Sequence, residues 1–73
     1  MNYEVTYFQL GGPSDYPEPC HSYEEADLVA RKARDSYLYA HPGKGLRGRH
    51  HKDKYQAVRP DGTVEFQAWV SLF

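Results

Sequence analysis

The chain has 73 residues, nine Lys and Arg against ten Asp and Glu, and a formal net charge of −1. That length holds one small domain with a single modest core and leaves little material for a deep catalytic pocket. One cysteine, Cys20, excludes an internal disulfide, and no run approaches the roughly 18 apolar residues of a membrane span, so no membrane association is expected.

Residues 2–10 (NYEVTYFQL) are rich in β-branched and aromatic residues and alternate, with Tyr3, Val5 and Tyr7 on one face and Glu4, Thr6 and Phe8 on the other. This pattern predicts a strand. The same stretch lacks a basic start followed by an apolar run, so no signal peptide is expected and a cytoplasmic location follows. Gly11-Gly12-Pro13-Ser14-Asp15 stops the strand, and Pro17 and Pro19 keep the chain extended up to Cys20.

Ser22-Tyr23-Glu24-Glu25 is a capping box, in which Ser22 accepts from the backbone of Glu25 and the Glu25 side chain reaches back. Glu24, Glu25 and Asp27 also suit the positive end of a helix dipole. Ala26, Val29, Ala30, Ala33, Tyr37 and Ala40 recur at three- and four-residue spacing, which predicts a helix to about Ala40 with an alanine-rich face able to lie close to a sheet. His41-Pro42-Gly43 ends it, with His41 favourable at the negative end.

Residues 41–54 (HPGKGLRGRHHKDK) contain no apolar residue but Leu46 and read as a long, flexible, basic loop. Strands are predicted from Lys54 to Arg59 and from Thr63 to Phe73. Between them Pro60-Asp61-Gly62 has the chemistry of a tight turn, with φ preset by Pro and positive φ available to Gly. In the last strand Val64, Phe66, Ala68, Val70 and Leu72 alternate with Glu65, Gln67, Trp69, Ser71 and Phe73. It is the longest and most apolar strand and belongs in the middle of the sheet. The expected fold is therefore α+β: a single β-α-β-β domain over 1–73, a three-stranded antiparallel sheet of order 1-3-2, and one helix packed on one face. The opposite face would carry Trp69, Phe73, Tyr55 and one set of first-strand rings, with nothing left to cover it. This strand–helix–hairpin plan resembles that of many unrelated small domains, among them small phage and mobile-element proteins that inhibit host machinery. The likeness is one of architecture and carries no residue over.

All nine basic residues lie between Arg31 and Arg59, where only Asp35 and Asp53 oppose them, a net of +7; the other eight carboxylates have no Lys or Arg among them. Such segregation points to contact with an acidic protein surface or with phosphates, and Gly43, Gly45 and Gly48 between the cations would let backbone amides join in. The plainer alternative is a solvated loop, or internal pairing with Glu24, Glu25, Asp61 and Glu65. A sequence pI near 6.4 argues against a dedicated nucleic-acid binder.

Gly43-Lys44-Gly45-Leu46-Arg47-Gly48 matches GxGxxG, but a dinucleotide site needs a strand before it and a helix after it, and here the order is reversed. The pairs Cys20-His21 and His50-His51 have none of the usual zinc spacings, so no metal or other cofactor is expected. Cys20 beside His21 is a contact imposed by sequence, with no third group to orient it, and no catalytic residue is identified. The expected function is a non-catalytic protein-binding module, a small regulator or inhibitor, that meets an acidic protein surface through Lys44, Arg47, Arg49, His50, His51, Lys52, Lys54, Tyr55 and Trp69. The alternative is a nucleic-acid-binding protein that uses the 41–54 loop on phosphates. Complementary basic and acidic sections, and an open sheet face, are also compatible with a homodimer.

Overall fold

A computed structural model describes residues 2–13 and 16–72. Its sheet contains five antiparallel strands: β1 (Tyr3–Gln9), β2 (Glu18–Cys20), β3 (Arg47–His51), β4 (Lys54–Val58) and β5 (Val64–Leu72). Their order is β2-β1-β5-β4-β3. One helix, α1 (Tyr23–Ala40), packs on β5, β4 and β1, and a short 3-10 turn follows it at Pro42–Lys44.

The three expected strands are β1, β4 and β5, and they keep the expected neighbours, with β5 in the centre. The sheet is nevertheless wider than expected by a strand on each side. β2 occupies the proline-flanked stretch before the helix. β3 occupies the segment expected as a basic loop, all five of its residues being exposed. Lys52, in the left-handed region at φ 56°, turns the chain from β3 into β4. β3 has no buried residue and β2 only Cys20, so neither carries an apolar alternation for hydrophobic periodicity to detect.

The helix begins as its capping box directs. The Glu25 amide donates to Ser22 Oγ at 3.1 Å, and Glu25 Oε1 accepts from the His21 amide at 2.8 Å, one residue before the cap itself. Ala26 and Ala30 are fully buried against the sheet, while Ala40, expected on the same stripe, is exposed. His41 Nδ1 meets the Tyr37 carbonyl at 2.9 Å, holding the histidine at the helix C-terminus.

Strand register assigns the two sheet faces, because directly opposed residues in an antiparallel pair share a face. Val5 pairs with Val70, Tyr7 with Ala68, Tyr55 with Ala68 and Ala57 with Phe66, and these residues face the helix. Tyr37 of α1 stacks on Phe66 with 4.8 Å between ring centroids. Between the pairs Ala57↔Phe66 and Val58↔Val64, β5 carries one extra residue, Glu65. This β-bulge interrupts the alternation. It leaves Val64 on the face of Val58 and turns Glu65, expected opposite Phe66, towards the helix side. The β4–β5 turn forms as expected: Gly62 adopts φ 92°, its amide donates to the Arg59 carbonyl at 2.9 Å, and Asp61 Oδ1 accepts from the Thr63 amide at 2.9 Å.

Candidate functional site

The face of the sheet away from the helix has no element of the described chain laid across it. Register places Arg47, Arg49 and His51 of β3, Lys54, Gln56 and Val58 of β4, Gln67 and Trp69 of β5, and Thr6 and Phe8 of β1 on this face. Arg49 opposes Gln56 and His51 opposes Lys54, while Trp69 lies between Thr6 and Lys54. A polar ladder crosses three strands: Arg49 Nε donates to Gln56 Oε1 at 2.7 Å, and Gln56 Nε2 donates to Gln67 Oε1. Gln56 is buried and hydrogen-bonded through both its amide oxygen and its amide nitrogen, so it fixes Arg49 in place.

Five of the nine residues expected at a partner surface are thus gathered here: Arg47, Arg49, His51, Lys54 and Trp69. The others lie elsewhere. Tyr55, expected on the open face, is buried on the helix face, because the extra residue in β5 moves its partner from Gln67 to Ala68. Its hydroxyl donates to Asp27 at 2.7 Å, and the His50 ring stacks on it at 4.2 Å and 6°. Burial first, and then the hydrogen bond to Asp27, push the Tyr55 hydroxyl up to about 12. The Arg34 guanidinium stands 5.3 Å from the same ring centroid, pairs with Asp35 at 2.7 Å and donates to the Arg49 carbonyl at 3.2 Å. Gly48 permits this, since a Cβ there would come within 3.0 Å of Arg34 Nη1. Lys52 is the turn residue, and its carbonyl meets His50 Nε2.

Lys44 is committed to a different cluster. Its Nζ lies 2.7 Å from Glu65 Oε1, which also accepts from Tyr37 Oη at 2.7 Å, and Arg59 Nε lies 2.8 Å from Glu65 Oε2. The hydrogen bond from Lys44, with those from Arg59 and Tyr37, holds the Glu65 carboxyl down at about 2. Burial, followed by the bond to Glu65, pushes the Tyr37 hydroxyl up to about 12. Here internal pairing, the plainer of the readings for the basic residues, holds for Lys44 and Arg59.

Cys20 is buried in the core, and burial, with Glu25 and Glu18 nearby, pushes its thiol up. It is poorly disposed to act as a thiolate nucleophile. Among the described residues no three His, Cys, Asp or Glu side chains are grouped to hold a metal ion, and no helix is long and apolar enough to cross a membrane. Phe73, expected on the open face, lies outside the described residues, as do Ser14 and Asp15 of the first turn.

Two contributors escape a sequence reading: Gln56, which anchors Arg49, and Arg34, which seals the helix side of β3. The alternation Arg47-x-Arg49-x-His51 is the one sequence signal that could have found the basic row. Comparison with models of known protein families, with curated proteins and with solved structures finds no match to this chain.

Proposed function

We propose that the chain is a non-catalytic binding module that receives the acidic surface of a partner protein on the open face of its sheet. Arg47, Arg49 and Lys54 supply the charge, His51 lies beside them, and Trp69 is the apolar centre. One observation carries this reading. Arg34, Lys44 and Arg59 are each paired with a carboxylate of the chain. Of the six Lys and Arg without an ion pair among the described residues, Arg31, Lys32 and Lys52 lie on the helix and a turn, whereas Arg47, Arg49 and Lys54 stand together on the open face. Cations that cost repulsion and are not neutralised internally are suited to an external anion.

A protein partner fits better than a long polyanion. The formal net charge is −1, and Glu24, Glu25 and Asp35 are exposed on α1, so the field that would draw in nucleic acid is weak beyond the face itself. Single-stranded nucleic acid is the second reading, favoured by the position of Trp69 beside Lys54, where a base could stack between phosphate contacts.

The test is capture from extract of the source cells, with the captured proteins identified. The variant R47E/R49E/K54E should lose the partner while its circular dichroism is unchanged. The control R31E/K32E, altered at exposed helix cations, should retain it. Equal retention by both variants removes the open face from the proposal.

A further inference from the structure

β3 is the outer strand at one end of the sheet, and its backbone presents an intact edge. The Val70 amide donates to the Asp53 carbonyl at 3.1 Å, which sets the alternation along β4: Tyr55 and Ala57 bond to β5, and Lys54, Gln56 and Val58 bond to β3. Their partners His51, Arg49 and Arg47 therefore direct their amides and carbonyls inward. Gly48 and His50 direct theirs outward. The Arg34 bond to the Arg49 carbonyl reaches a group already within the ladder and leaves these outward groups uncovered.

The other end of the sheet is closed to the same use. The Leu10 amide donates to the Glu65 carbonyl at 2.9 Å, so Glu4, Thr6 and Phe8 bond towards β5, and Tyr3 and Val5 towards β2. Pro19, opposite Glu4, then holds the outward position of β2 and has no N–H to offer. β2 is also only three residues long. Both are devices that keep an edge from recruiting another strand. β3 has neither.

What β3 has instead is charge of one sign. A strand laid beside it places every second side chain on the open face, about 5 Å from Arg47, Arg49 or His51. A second copy of β3 would bring arginine against arginine and is disfavoured. A segment with carboxylates at alternate positions would set them against Arg47, Arg49 and the hydrogen-bonding ring of His51, and its backbone would pair with Gly48 and His50. We propose that the free edge of β3 takes up an extended acidic segment of the partner protein by strand addition. This rests on the reading of the open face as the anion-binding surface, and adds to it the backbone of β3 as the element that is recognised.

The probes are an end-blocked octapeptide with Glu at every second position and Thr between, and the same peptide N-methylated on the residues whose amides would face β3. Both carry the same charge. At low salt the first should bind the native chain about tenfold more tightly than the second, the worth of two or three backbone hydrogen bonds. Amide exchange should slow at Gly48 and His50 and stay unchanged at Arg49. His50→Pro, which removes the outward N–H, should weaken binding by about the same factor, while His50→Ala retains it. Should His50→Pro fail to fold, the two peptides on the native chain still decide the matter. Equal affinity for the two peptides, lost in R47E/R49E, overturns strand addition and leaves the charged face standing. No binding of either peptide overturns both. A single-stranded oligodeoxynucleotide bound more tightly than either peptide overturns the choice of a protein partner.

Discussion

The two faces of the sheet handle their polar groups in opposite ways. On the helix side Glu65 gathers Lys44, Arg59 and Tyr37, Asp27 takes the Tyr55 hydroxyl, and Arg34 lies over an aromatic ring. On the open side the hydrogen-bonded ladder runs from Gln67 through Gln56 to Arg49, and Arg47, His51 and Lys54 have no such partner among the described residues. A domain of this size has a stability margin of only a few kcal/mol, so the closed network on one side is what allows uncompensated charge on the other.

Substitutions on the two faces should therefore differ in kind. The largest effect is expected from Phe66→Ala, which removes a buried ring stacked on Tyr37 and beside Tyr7. A loss of roughly 3–5 kcal/mol, enough to unfold the chain, should appear as a collapsed urea transition.

Next comes Glu65→Gln, which leaves Lys44 and Arg59 without their carboxylate and should lower the thermal midpoint at neutral pH. Its signature is the pH profile. A carboxyl held at about 2 against an ordinary 4.5 stabilises the fold fully above the ordinary value. That contribution is lost as pH falls from about 4.5 towards 2. The variant should lack this acid-side slope.

Tyr37→Phe should cost about 1 kcal/mol, the worth of one hydrogen bond. Because the native hydroxyl is raised from 10.0 to about 12, its contribution is present below pH 10 and lost as pH rises towards 12. Tyrosinate absorbance and circular dichroism followed together should show this alkaline loss weakened in the variant.

The smallest effect on stability belongs to R47E/K54E on the open face, expected within about 0.5 kcal/mol of the native chain by urea denaturation. A loss comparable with that of the helix-face variants would mean that the open face also supports the fold, and the contrast between the faces would fail.

The parts of the fold legible from the residues are those that bury something or turn sharply. Ser22 and Glu25 announce the helix start, Pro60-Asp61-Gly62 the second hairpin, and the alternation of β1 and β5 the central pair. β3 is different, because an edge strand with every residue exposed leaves no apolar pattern to detect. Its turn is equally silent, since Lys52 takes the positive φ that glycine or asparagine would advertise. The basic residues of the site were visible as composition, but which of them point together depended on the β3–β4 register. Tyr55 falls on the unexpected face because the extra residue of β5 sets it opposite Ala68, where strict pairing back from the turn gives Gln67. Glu65 was misplaced by strict alternation, which cannot register a bulge.

That bulge has a bearing on how uniquely the sheet assembles. Sliding β5 by two residues against β4 would keep its alternating apolar side chains on their face, so the hydrophobic pattern alone discriminates weakly against the slipped pairing. The slip would also carry Glu65 away from Lys44, Arg59 and Tyr37 and leave a carboxylate without its cations. A charge stripped of its partners on desolvation is costly. The extra residue thus acts as an index mark on the central strand, selecting one alignment from among several that hydrophobicity would accept.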